Sequence, residues 1–293
     1  MPNKMQNHHH QIHMMMYGLG DSHDPNPDTV QLVESIVQSQ LKTIVIEALK
    51  YGDGKVLRGR DLVFLLRHNK YKMHRFIRYI LHKELSQKLK CSSTVSKIDH
   101  DDKTKNKLIK FIESIDETGE FLDMSEVDET KVERMLRADR ISRNLSEEKY
   151  LEFQKSRCAS FKTCPRSFEN IKQWIDPKKE LIFEDDSMDV LCYLAFQTVA
   201  ELVDYALLVR EDAQSGSDPL AHLPGSGSYY TAAMFKAPHG LERGRVDCAR
   251  IRTNQAPISV GEIKEVMRRI YSPQTGKLNF GGKVPDTHYL LAL

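Results

Sequence analysis

Residues 188–209, MDVLCYLAFQTVAELVDYALLV, hold seventeen apolar residues of twenty-two. A helix so oily on nearly every side has two destinations, a bilayer or the inside of a folded domain. Asp189, Glu201 and Asp204 lie within it, and ionisable groups are costly in hydrocarbon. We therefore read a buried helix over 187–210 with one polar edge. The constraint is severe, because such a cylinder needs apolar neighbours around most of its circumference.

A second long helix stands near the other end. Asn26-Pro27-Asp28-Thr29 supplies a capping side chain, a proline at the first helical position and acid in the first turn. Val30, Val33, Val37, Leu41, Ile44 and Ala48 then recur at helical steps, and Leu32, Ile36, Val45 and Leu49 widen the stripe. Gly52 and Gly54 stop it. Shorter helical patterns flank both long ones. HHQIHMMMYG precedes the first and RDLVFLLRHN follows it, with the basic amphipathic KYKMHRFIRYILHKEL beyond. Around the second stand EEKYLEFQKSRCASF (147–161), SFENIKQWI (167–175), the loop DPKKELIFEDD and ISVGEIKEVMRRIY (258–271). Strand signals are scarce, so the fold class is all-α.

A long helix bracketed by two short ones closes almost no core alone; such a unit would expose more apolar surface than a soluble monomer tolerates. Two units of this kind on one chain can hide each other's stripes. The intervening segment, at random-coil dimensions, spans roughly 40 Å, and tethering makes the association intramolecular. The expected architecture is one antiparallel helical pair folded from both ends of the polypeptide.

Chemistry finds no foothold. Gly18-Leu19-Gly20 lacks a preceding strand, a third spaced glycine and a following Lys-Ser/Thr, so it reads as a helix-ending turn. Arg60-Asp61-Leu62 echoes a kinase catalytic loop, but Leu66 stands where that loop requires asparagine; Arg58, Arg60 and Asp61 read as capping the third helix and pairing locally. His8, His9, His10 and His13 read as a solvated tail. The five cysteines form no CxxC or zinc spacing and read as reduced intracellular thiols, and residues 1–7 show no leader or transit character. No catalytic residue, metal, cofactor, small-molecule substrate or membrane is expected. Charge is unevenly spread: residues 55–90 hold eleven Lys/Arg and two Asp/Glu, and 176–218 three and eleven, which suits more than one kind of partner.

MMYGLGD, DTVQLVESIVQSQL and RGRDLVFLLRHNKYKMHRFIRYI, followed by RCASF, FENIKQWI and APISVGEIKEVMRRIY, resemble the Spt-three (suppressor of Ty, three) family of subunits of the SAGA transcription coactivator. The first half also resembles the smaller, and the second half the larger, of two paired histone-fold subunits of TFIID. The resemblance covers about residues 12–85 and 147–271. It implies two histone folds paired in cis in a handshake, nuclear location, no catalysis, other histone-fold and scaffold subunits of SAGA as partners, and contact with the TATA-binding protein. The organisation becomes a flexible N-terminus (1–11), a first histone fold with a basic C-terminal helix (12–90), a charged linker (91–146), a second histone fold with an insertion at 213–257 (147–271), and an irregular tail (272–293).

Three sets of residues carry these expectations. Val33, Val37, Leu41, Ile44, Leu62, Leu65, Leu191, Leu194 and Leu202 form the pairing interface. Gln197, Glu201 and Asp204 fall at i, i+4 and i+7 on the long second helix, either a solvated edge or an acidic strip for the TATA-binding protein, with Glu184, Asp185 and Asp186 adding to the negative field. Arg67, Lys72, Arg75 and Arg78 belong to a basic face that reads as solvated surface, as a subunit contact, or as a DNA contact of a histone-like module. Direct DNA binding is expected to be weak at most.

Overall fold

Asn26 caps the first long helix as its sequence dictates: the side-chain oxygen accepts from the Asp28 amide at 2.9 Å, and Pro27 occupies the first turn. The computed structural model describes residues 8–52, 54–91, 106–162, 167–215, 256–271 and 290–293. Within them the chain is mostly helical. The front part contributes α1 (His9–Leu19), α2 (Pro27–Leu49), α3 (Gly59–Leu65), a 3-10 turn at Leu66–His68, and α4 (Lys70–Cys91). The back part contributes α5 (Lys107–Ile115), α6 (Glu129–Arg143), α7 (Glu147–Arg157), α8 (Ser167–Ile175), α9 (Asp185–Ser215) and α10 (Val260–Tyr271).

The oily helix is α9, longer than its sequence pattern suggested. It is long and apolar enough to cross a membrane, but it is largely buried inside the protein. Helices α1, α2 and α3 from the front and α10 from the back pack around it. All nine residues expected at the pairing interface lie in the same buried cluster, which draws on both halves of the chain. At about 1.5–3 kcal/mol for each fully buried aliphatic side chain, this shared core dominates the stability. A two-residue parallel strand pair adds a second seam. β1 (Val56–Leu57) faces β2 (Ile182–Phe183), with the Ile182 amide donating to the Lys55 carbonyl at 2.9 Å and Glu184 to Leu57 at 3.1 Å. Those strands were not legible in the sequence, being too short to show any alternation.

Gly18 and Gly20 form a corner, and each has its own reason to be glycine. Gly20 ends α1 at φ 119°, donating to Tyr17 O while Asp21 donates to Met16 O, the Schellman arrangement. A Cβ on Gly18 would sit 2.6 Å from the Ser156 carbonyl oxygen, so α1 and α7 touch backbone to backbone. Asp61 caps α3, accepting from the Arg58 amide at 3.3 Å.

Three regions gain detail, and one of them a correction. The charged linker, read as flexible or loosely helical, contributes two helices among its described residues. Asn106 caps α5, whose Leu108, Ile109 and Ile112 enter the main core, and α6 lies against α1. The tail is fixed at its end: Leu291 and Ala292 are buried, and the Leu291 amide donates to Gln40. The expected flexible N-terminus is helical from His9, and His8 is buried. The rest of the expected N-terminus (1–7), most of the 213–257 insertion and most of the tail lie outside the described residues. Of the cysteines, Cys158 is exposed and Cys192 buried, the latter with its thiol pushed up to about 12 by desolvation.

His8 yields a pH prediction. Its ring lies 4.7 Å from Trp174 and 5.5 Å from Phe161, Nε2 is buried without a partner, and the backbone amide donates to Glu34. Desolvation holds the imidazole below its ordinary pKa of 6.5, against the Gln11 hydrogen bond and the Glu34 charge. The unfolded chain therefore takes up this proton first. The contribution is whole above about pH 6.5 and is lost as pH falls towards the folded value. The melting temperature should drop by a few degrees between about pH 7.5 and about pH 5.5, and His8→Phe should flatten that drop. Equal slopes for both proteins in a thermal-shift series would refute the assignment.

Candidate functional site

Gln197, Glu201 and Asp204 do form one edge of α9, but the edge is not a surface. Helix α6 lies over it and fills it with guanidinium groups. Arg134 donates from Nε to Asp204 at 2.6 Å, from Nη2 to Glu201 at 3.1 Å and from Nη1 to Gln197 at 3.4 Å. Arg137 donates to Asp204 at 2.7 Å and to the Leu19 carbonyl at the end of α1 at 2.9 Å. From α4, Arg75 reaches Glu201 at 3.1 Å and clasps Asp128 with two nitrogens. Asp128 also accepts from the Lys131 amide and so caps α6. Glu201 retains only 8% of its exposure. The expected acidic strip is an internal lock joining α1, α4, α6 and α9.

The electrostatics follow from this burial. Desolvation raises the Asp128 carboxyl, yet the Arg75 hydrogen bond and charge, the Lys131 amide and Arg134 outweigh it and hold the pKa below the usual range. Desolvation likewise lowers the Arg75 pKa, but Asp128 and Glu201 raise it further. Lys72 is pushed down by burial, with Arg75 and Arg134 adding repulsion and Glu201 opposing. Its ammonium donates to the Leu291 and Leu293 carbonyls at 2.6 and 2.7 Å, pinning the last described residues to α4.

The cationic face expected to meet DNA or a subunit is thus mostly engaged inside the chain. Arg67 donates to the Phe64 carbonyl and stacks over the Phe64 ring at 3.9 Å. Arg78 reaches the Met124 carbonyl at 3.4 Å. Lys72 and Arg75 are committed as above. The physical reason is the segment 106–146, which folds back over α4 instead of hanging free. Lys83 joins Lys162 on Asp189 of α9, and Lys162 also donates to the Tyr79 hydroxyl at 2.6 Å.

A further joint connects the two sequence blocks MMYGLGD and APISVGEI. Ile258 donates its amide to Asp21 at 2.8 Å, and its carbonyl accepts from the Thr29 hydroxyl at 2.8 Å. Arg210 clamps the same segment, donating to the Ala256 and Pro257 carbonyls and to Glu262. Burial raises the Asp21 pKa against its hydrogen bonds from Ser22 and Ile258. Among the described residues no group of three or more His, Cys, Asp or Glu could hold a metal. These clusters position helices; none presents a nucleophile beside a base.

Residues 6–93 match the family model described as transcription initiation factor IID, 18kD subunit. The chain is 30% identical over 275 residues to the SAGA complex subunit Spt3 of Drosophila melanogaster, an alignment spanning 90% of this chain and 67% of that one. The chain belongs to the Spt3 family. The Spt3 subunit of Schizosaccharomyces pombe is 27% identical with 96% of both chains covered. That of Saccharomyces cerevisiae is 24% identical over 70% of this chain and 74% of its own. The similarity to Spt3 proteins thus takes in both halves of the chain. Sequence reasoning missed Asp128, Arg134 and Arg137. The available signal was arginine at i and i+3 in ERMLRADR, the spacing that puts two guanidiniums on one helix face.

Proposed function

We propose that this chain is a non-enzymatic, nuclear subunit of a SAGA-type transcription coactivator. In this reading its halves pair as two histone folds in cis, dock among other histone-fold and scaffold subunits, and contact the TATA-binding protein to help bring it to promoters. The observation that carries the reading is the shared core. The part matching a TFIID subunit buries its stripe against α9 of the same chain, as one half of a heterodimer would against the other. The names of the Spt3 relatives supply the assembly.

With Glu201 and Asp204 occupied by α6, contact with a basic partner falls to acid that remains exposed. Glu184, Asp185 and Asp186 at the start of α9 are such residues. A pull-down with purified TATA-binding protein tests this. The wild-type chain should retain it, and Glu184→Lys with Asp185→Lys should reduce retention about fivefold or more without altering helicity. No retention by the wild type rejects the contact itself, whereas equal retention by the variant rejects only its location. Co-purification of the tagged chain with other coactivator subunits tests the scaffold role separately.

A further inference from the structure

Helix α6 meets α1, α7 and α9 imperfectly. A half-open cavity of about 170 Å³ remains between them, with Met15, Leu19, Met135, Ala138 and Phe196 among its lining residues. An apolar cavity of about 150 Å³ accepts benzene, so this one has the size for a single bulky side chain. Two methionines among its walls let it adapt to more than one shape. Met135 stands 59% exposed at the mouth, a large apolar side chain with no cover from the chain itself.

The rim has a sign. Lys131 on α6 and Arg157 on α7 border the cavity, both exposed, and neither has a carboxylate partner among the described residues. Arg134 also borders it but is neutralised by Glu201 and Asp204. The nearby acids are turned away or committed. Glu129 and Glu133 lie two residues either side of Lys131, about 200° around the helix. Asp139 pairs with Arg143 at 2.7 Å, and Glu152 with His23 at 3.0 Å. An apolar hole with uncompensated cations at its edge complements one chemistry. We propose that this cleft is a docking site for an acidic peptide segment that inserts one bulky apolar side chain beside Met135 and places its carboxylates on Lys131 and Arg157. The partner is opposite in charge to the basic one of the preceding section and uses a different face.

The test is fluorescence polarisation on the full chain with a labelled peptide carrying one tryptophan between runs of aspartate and glutamate. The expected Kd is micromolar, rising about tenfold for Lys131→Glu with Arg157→Glu. Replacing the peptide's tryptophan by alanine should weaken binding by at least as much. Both substituted positions are exposed and unpaired, so the melting temperature should be unchanged. Absence of binding, equal binding by the charge-reversed protein, or equal binding of the alanine peptide would each overturn the proposal.

Discussion

Glu201→Ala is expected to lower the unfolding free energy by about 3–5 kcal/mol, the penalty for removing one partner of a buried ionic cluster. Arg75 and Arg134 both donate to Glu201 at 3.1 Å, and both lie largely out of water. Without the carboxylate two guanidiniums face each other with less compensation, and Lys72 sits nearby in the same field. Urea denaturation with a double-mutant cycle measures the effect. Arg134→Ala in the Glu201→Ala background should cost far less than it does alone. A substitution on an open surface would stay within about 0.5 kcal/mol; a value that small for Glu201→Ala would mean α6 does not cover α9.

Residues 1–91 expressed alone should fail to give a soluble monomer with a cooperative thermal transition. Val33, Val37, Leu41 and Ile44 on α2 are fully buried, in a cluster that continues through Leu191, Leu194 and Leu202 of α9. Cutting the chain exposes that stripe, along with Met15, Met16, Leu62 and Phe76, which share the cluster. At about 1.5–3 kcal/mol each, the loss exceeds the few kcal/mol by which a domain of that size is normally stable. Co-expression with residues 106–293 should restore a one-to-one complex. A well-behaved monomeric fragment melting in one step would refute the shared core.

What could be read from the sequence was whatever repeats locally. The stripe of α2, the Asn26–Pro27 start, the Gly20 stop and the oily run of α9 are each written within a few residues, and the two long apolar helices called for a core shared between the halves. The ordered 106–146 segment was hidden because its logic is not local. Leu108, Ile109 and Ile112 are the buried members of five apolar residues in the nine of α5, a short run inside a stretch dense in charge. Arg134 and Arg137 make sense only against Glu201 and Asp204, which follow much later in the chain. An acidic edge and a basic helix looked like two surfaces for outside partners, and both proved to be engaged within the chain, the edge chiefly by Arg134 and Arg137 of α6 with Arg75 of the basic helix joining them. Surface charge runs are ambiguous in this way whenever a chain can fold back on itself. His8 was misread for a similar reason, since nothing near it announces Trp174 and Phe161.

The shared core also has a consequence in time. The ribosome releases α1 to α4 first, and α9 is not complete until Ser215 has been added. At about 5–20 residues per second, the α2 stripe, complete at Leu49, waits roughly 8–33 s for its cover. Through that interval the nascent front half is a sticky, half-made object, and its safe passage depends on the pace of translation and on whatever chaperone shields it.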